Sequence, residues 1–254
     1  MNEIEWSPDR GSHDLHEAYE TWVPELSQRG DAPVVLSCEH ASQRMPEGYA
    51  WHPEDEHLRG THWAFDLGVR ELTLELALHI GAPAVLSRYS RLLVDPNRSL
   101  SSETLFRTTA EGRPVRMNAN LSEEDKAERL ERLYHPYHRA VSRAVEETVS
   151  APVVFAIHSF TPLYEGDPRP MEVAVLFDKA DDLAHRLGRD MEAGGLKVAY
   201  NAPYSGKAGM MHAVERHATE FGREAVELEV RQDLVVDLEF RKKLVPILAG
   251  LFPR

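Results

Sequence analysis

The 254-residue chain has a single cysteine, Cys38, so no intramolecular disulfide can form. It has no excess of basic side chains. Twenty-nine Lys and Arg stand against 42 Asp and Glu, a formal net charge of −13. Such a chain repels phosphate backbones, which argues against a nucleic-acid partner. No apolar run approaches the ~18–20 residues that a bilayer span needs. The opening stretch, Met1 to Asp14, is polar and acidic and lacks the basic segment and apolar core of a signal peptide. A cytoplasmic protein with no membrane partner is therefore expected. There is no repeat, no low-complexity tract and no Pro/Gly/Ser-rich linker. One domain over residues 1–254 is expected, long enough to bury a sizeable core. The sequence sets no oligomeric state.

What is present is an alternation of short apolar runs and helix-like stretches. Val34 to Cys38, Ala84 to Ser87, Val153 to Ile157, Glu172 to Phe177, Lys197 to Tyr200 and Val226 to Val230 read as strands. Asp66 to Ile80, Ala180 to Glu192 and Asp237 to Leu251 read as helices, the last with a possible irregularity at Pro246. Ser122 caps a further helix whose apolar residues run from Leu130 to Val145, with a kink or break expected at Pro136. Strands alternating with helices predict a mostly parallel sheet covered on both faces. In such sheets the ligand site lies at the carboxyl ends of the strands. The polar stretch from about Ser99 to Leu121 is long for a loop, and long loops are often functional.

Three polar clusters fall at strand ends. Val34 to Cys38 runs into Glu39 and His40; Val153 to Ile157 runs into His158 and Ser159; and Glu227 and Glu229 alternate with apolar residues, which puts them on one strand face. Two histidines at strand ends suit a divalent metal, and a catalytic zinc takes three protein ligands and an open position. Asp66, at the head of the helix after the first cluster, is the candidate third ligand. Glu229 is the candidate general base. Each residue also has a plain structural reading: a histidine that only packs, an acid that only faces a helix dipole. Arg91 and Arg98, either side of Asp95 and Asn97, suggest an anionic substrate, since guanidinium grips carboxylate by two parallel hydrogen bonds. Asp95 could equally pair with one of them to fix the loop. Cys38, inside an apolar strand, reads as a small buried residue rather than a nucleophile. Tyr134, His135, Tyr137 and His138 form an aromatic, histidine-rich patch that reads as packing.

Taken in order, Ser37-Cys38-Glu39-His40-Ala41-Ser42, Asp66-Leu67-Gly68, Ser90-Arg91 through Asp95-Pro96-Asn97-Arg98, and His158-Ser159-Phe160-Thr161-Pro162 resemble the signatures of N-formylglutamate amidohydrolase-like proteins. The resemblance spans about Val34 to Val235. It implies kinship in fold with zinc carboxypeptidases and zinc-dependent N-acetylmuramoyl-L-alanine amidases: a three-layer α/β/α sandwich with a central, mostly parallel mixed sheet. It also implies one zinc per chain on His40, Asp66 and His158, with another divalent metal possible, and Glu229 in a Glu-x-Arg segment as catalytic glutamate. Carboxypeptidases place a glutamate ligand three residues after the first histidine. Here that residue is Gln43, so Asp66 is expected in its stead, with Glu39 as the fallback. The stretch Asn201 to Lys207 resembles the family's turn and then diverges.

The mechanism so implied is water attack on an N-acyl amino acid such as N-formyl-L-glutamate, giving formate and a free amino acid. Glu229 moves the proton, and Arg91 or Arg98 stabilises the oxyanion or grips a carboxylate. Arg98, Asn97, Arg169 and Ser159 are the expected substrate-binding residues. The partner is then a small anionic substrate. The rivals are a peptide or peptidoglycan amidase on the same scaffold and a non-catalytic protein that binds an anionic metabolite.

Overall fold

A computed structural model describes residues 11–24, 32, 34–148 and 153–252. The expectation about a missing signal peptide rests mainly on residues 1–10, which lie outside the described residues. Twelve strands are described: β1 (Gly11–Leu15), β2 (Tyr19–Pro24), β3 (Val34–Cys38), β4 (Ala84–Ser87), β5 (Thr109–Ala110), β6 (Arg113–Pro114), β7 (Val153–Phe160), β8 (Leu163–Tyr164), β9 (Asp167–Pro168), β10 (Val173–Leu176), β11 (Val198–Tyr200) and β12 (Glu224–Arg231). Eight form one sheet in the order β1-β2-β4-β3-β7-β12-β10-β11, while β5-β6 and β8-β9 are separate two-stranded hairpins. The four central strands, β4, β3, β7 and β12, are mutually parallel. The flanks bring antiparallel pairs, so the sheet is mixed.

The helices are α1 (Val69–Ile80), α2 (Glu123–Arg129), α3 (His135–Glu147), α4 (Asp181–Ala193), α5 (His212–Glu220), α6 (Gln232–Val235) and α7 (Leu238–Ala249). Strand side chains alternate between faces. Leu36, Cys38, Phe155, Ile157, Leu228 and Val230 pack with apolar side chains of α1, α4 and α7. Val35, Val154, Ala156 and Leu176 face the other way, onto Tyr137 and Val141 of α3 and Val214 of α5. The result is a three-layer α/β/α sandwich. Burying one side chain the size of Phe155 contributes ~1.5–3 kcal/mol, so the two apolar layers carry most of the stability. No helix among the described residues is long and apolar enough to cross a membrane.

Three local outcomes differ from the sequence reading. The β1-β2 hairpin extends the sheet where no strand was expected. Its alternation is masked because the inward positions of β2 include Glu20 as well as Trp22. Burial pushes the Glu20 carboxyl up. Hydrogen bonds from Arg70 (2.5 and 2.8 Å) and the contact with His13 (2.9 Å) outweigh that and hold it below its ordinary value. Second, α5 was not expected, because only Ala213, Val214 and Ala218 are apolar on its inner face and His217 fills the remaining place. Third, the break expected at Pro136 falls just before it, where the α-helix gives way to a π segment. Pro136 itself sits in the first turn of α3, where a missing N–H costs little, and a π-turn over Leu130–Tyr134 joins α2 to α3.

The helix expected from Asp66 starts instead at Val69, because Gly68 adopts a left-handed conformation (φ 75°) just before it. A Cβ there would also stand 2.9 Å from the Val235 carbonyl carbon and oxygen. Gly68→Ala is expected to lower stability by ~1–3 kcal/mol, read as a shifted urea midpoint. An unchanged midpoint would show that the turn relaxes freely.

Between α3 and α5, His138 Nδ1 and His217 Nε2 are 2.9 Å apart, and His217 Nδ1 is 3.1 Å from Ser142 Oγ. Burial first, and the positive charge of Arg216 second, push His217 down to about 4; burial and His217 push His138 well below its ordinary value. Both are therefore neutral when folded at neutral pH. Below about pH 6.5 the unfolded chain binds protons that the folded chain refuses, so stability falls as pH drops toward 4. His217→Gln is expected to flatten that slope by about 1.4 kcal/mol per pH unit. Identical slopes in urea titrations of the two proteins would contradict it.

Candidate active site

The carboxyl ends of the four central parallel strands meet at one place. β3 delivers Glu39 and His40, β7 delivers His158, β12 delivers Glu227 and Glu229, and the chain after β4 returns with Arg91 and Asp95. The register sets Glu229 opposite His158. The Asp66 N–H donates to the His40 carbonyl at 2.9 Å, which ties the turn before α1 to the end of β3. The Ser159 N–H donates to Asp66 Oδ2 at 3.3 Å, and the Ser159 hydroxyl to the Leu67 carbonyl at 3.1 Å.

His40, Asp66 and His158 are all buried, and a ligand atom from each lies within 4.8 Å of the others. Asp66 Oδ2 is the hub, 3.3 Å from His40 Nδ1 and 2.9 Å from His158 Nδ1. Donors on one tetrahedral zinc, at ~2.0–2.1 Å from it, stand about 3.3 Å apart, so these separations fit a metal. The outer ring nitrogens fit as well. His40 Nε2 meets Asp95 Oδ1 at 2.8 Å, and His158 Nε2 meets Glu39 Oε2 at 2.8 Å. Metal-bound histidines are commonly fixed through their second nitrogen by a carboxylate in this way. Asp95 is held in turn by Arg91 Nε and Nη2 (3.0 and 2.6 Å) and the Asn97 N–H (2.9 Å), and Glu39 accepts from the Tyr137 hydroxyl at 2.8 Å.

The electrostatics point the same way. Five buried carboxylates, Glu39, Asp66, Asp95, Glu227 and Glu229, surround two imidazoles and Arg91. Burial pushes Glu39 up, but His158 and the Tyr137 hydroxyl bring it down to about 2. Burial likewise raises Asp66 and Asp95, while His40 with His158 lowers the first, and Arg91 with His40 the second, below the ordinary range. Glu227 and Glu229 escape that compensation. Burial raises Glu227 to about 7 and Glu229 well above its ordinary value, and the Oε2 atom of each has no hydrogen-bond partner among the described residues. A divalent cation among these donors would offset that negative charge.

A cavity of about 480 Å³ opens over this centre. Its walls hold Arg91, Asn97, Arg98, Ser159 and Arg169, so all the residues singled out for substrate come together there. They are not equally free. Arg91 has two nitrogens committed to Asp95, and its Nη1 lies 3.6 Å from Asp66 Oδ1. Asn97 accepts the Ala213 N–H at 3.0 Å and donates to the Met210 carbonyl at 3.5 Å, which clamps its loop to the start of α5. Arg98 donates to Thr104 Oγ1 and the Asn97 carbonyl. Arg169 lies over the rings of Tyr164 (4.9 Å), Tyr204 (5.4 Å) and Phe160 (5.8 Å).

Other residues found here had no signal of their own in the sequence. Trp63, Arg107 and Tyr204 reach the cavity from loops and Tyr164 from β8. Glu39, the fallback ligand, meets the outer ring nitrogen of His158. Tyr137, assigned to packing, also donates its hydroxyl to Glu39. Gln43 accepts the Gly60 N–H at 2.6 Å and so serves the loop. Cys38 is fully buried and burial pushes its thiol up, in keeping with a small packed residue.

The sequence profile of the N-formylglutamate amidohydrolase family matches residues 32–236. The chain belongs to this family. It is accordingly a hydrolase that acts on amides. The fold is similar to the crystal structure of a gene product from Agrobacterium tumefaciens, at 30% identity over 92% of this chain and 93% of that one, with a TM-score of 0.83. It is also similar to the crystal structure of an N-formylglutamate amidohydrolase from Ralstonia eutropha, at 20% identity over 92% and 95% of the two chains, with a TM-score of 0.71. No curated protein matches the chain.

Proposed function

We propose that this amidohydrolase is zinc-dependent and cleaves an N-acyl amino acid such as N-formyl-L-glutamate, releasing the acid and the free amino acid. The observation that carries the reading is the three-donor cluster of His40, Asp66 and His158 in an arginine-lined cavity, beside a buried Glu229 whose Oε2 has no hydrogen-bond partner among the described residues. His40, Asp66 and His158 would hold one ion per chain, and two nitrogens with one carboxylate oxygen suit zinc. A bound zinc supplies Lewis-acid polarisation of the amide carbonyl and makes water a stronger acid.

The chain's own residues supply the rest. Asp95 and Glu39 keep each imidazole turned so that Nδ1 faces Asp66. Glu229 takes the proton of the attacking water and returns it to the leaving nitrogen, so water is divided between acid and amine with nothing left over. Arg91, fixed by Asp95, presents positive charge where the carbonyl oxygen becomes negative. Arg98 and Arg169 grip carboxylate, and Asn97 and Ser159 hold the walls in which they stand.

The test is product analysis on N-formyl-L-glutamate and on short N-acylated peptides. Formate and free glutamate in equal amounts support the reading. A shortened peptide as the main product would favour a peptide or peptidoglycan amidase, and tight binding without turnover would favour a metabolite-binding protein.

A further inference from the structure

The arginines that line the cavity differ in what they already hold. Arg91, Arg98 and Arg169 donate to Asp95, Thr104 and Thr161. The Arg107 guanidinium makes no hydrogen bond and no ion pair among the described residues; its contact is with the Trp63 ring, over which it lies at 5.2 Å. The Trp63 ring in turn meets that of His62, with centroids 4.7 Å apart. All three side chains line the cavity. His62 Nε2 and Trp63 Nε1 are buried and have no hydrogen-bond partner among the described residues. Polar groups left unpaired inside a fold call for a partner that the chain does not supply.

The chemistry of the stack selects that partner. Indole and guanidinium are donors only, and a neutral imidazole has one N–H to give. Burial first, and Arg91 next, lower both His62 and Arg107, so His62 is neutral at neutral pH and Arg107 is a partly desolvated cation. A guanidinium over a ring keeps its N–H groups for two parallel bonds to a carboxylate. The stack also leads away from the metal donors. His40, Asp66, His158 and Glu229 are buried, whereas His62, Trp63 and Arg107 are half-buried, toward the open side. An amide placed against Glu229 keeps its α-carboxylate beside the reacting nitrogen, and only a carboxylate at the end of a longer side chain extends outward.

We infer that Arg107, over Trp63 and beside His62, is a specificity-determining residue that takes the side-chain carboxylate of an N-acylated acidic amino acid. Arg98 and Arg169 are then left for the α-carboxylate, which every N-acyl amino acid has. The inference rests on the N-acyl amino-acid reading of the same site, and it separates acidic substrates from their neutral amides.

The experiment is calorimetric binding of N-acetyl-L-glutamate and of its neutral amide, N-acetyl-L-glutamine, to purified Glu229→Gln, alone and with Arg107→Met or Arg169→Met added, beside hydrolysis of N-formyl-L-glutamate by the wild type. The parent is expected to prefer the glutamate compound by at least ~10-fold, the scale of one charge-assisted pair. Arg107→Met should abolish that preference and leave N-acetyl-L-glutamine binding as before, which also shows that the cavity is intact. Arg169→Met should weaken both ligands alike. No preference in the parent, a preference that survives Arg107→Met, one that is lost through Arg169→Met instead, or no binding of either ligand would overturn the inference. A preference that depends on Arg107 without hydrolysis by the wild type would uphold it and sink the hydrolase reading. Hydrolysis with a preference indifferent to Arg107 would do the reverse, so the two failures are distinguishable.

Discussion

Glu229→Gln is expected to lower kcat on a hydrolysed N-acyl amino acid by ~10²-fold or more, the usual contribution of a positioned general base, with KM changed only a few-fold. The amide keeps the shape of the side chain and removes its basicity. The fold should not suffer. Glu229 is buried opposite His158, burial already disfavours its charge, and its Oε2 has no hydrogen bond to lose. A neutral side chain there is expected to leave the unfolding midpoint at or above that of the wild type, which separates lost chemistry from lost structure. Glu227→Gln is the control. Glu227 lies two residues back on the same strand face, with its Oε2 3.7 Å from His158 Nε2, on the side of the ring turned toward Glu39. Its loss is expected to cost less. Full activity in Glu229→Gln would remove Glu229 from the mechanism.

The second large effect is expected from Asp66. Both Nδ1 atoms converge on its Oδ2, so Asp66→Ala removes one donor and the group that aligns the other two. Metal retention and turnover should both be lost. The partners behind the ligands should give a graded result. Asp95→Asn and Glu39→Gln keep all three donors and weaken only the grip on each ring, and outer partners of this kind typically carry ~10–100-fold in metal affinity. Competition with a chelator orders the variants: wild type tightest, Asp95→Asn and Glu39→Gln intermediate, Asp66→Ala without measurable retention. A ranking with Asp66→Ala tighter than either of the others would contradict the assignment.

The strands that build the centre are legible because they are buried on both faces and so read as continuous apolar runs ending on charged residues. Parallel neighbours then bring those ends together, which is why His40, Asp66 and His158, 26 and 92 residues apart, fall within reach of one another. The outer ring of the site was harder to read. The links from Asp95 to His40 and from Glu39 to His158 depend on which way each ring turns, and no spacing encodes that. Tyr137 looked like helix packing because its ring does pack, and only its hydroxyl reaches Glu39. Arg107 sits in a polar stretch without periodicity, and its backbone carbonyl is held by Asn118, which Arg129 holds in turn, contacts that no spacing encodes. The β2 strand was hidden by Glu20, a charge at an inward position that makes sense only once Arg70 is beside it.

The most direct test of the account is the metal content of the purified protein by elemental analysis, measured for the wild type and for the His40→Ala/His158→Ala double variant. The account predicts about one zinc per wild-type chain, held through dialysis, and none in the variant. A wild-type protein that takes up no metal after incubation with zinc, or a variant that keeps as much as the wild type, would contradict it.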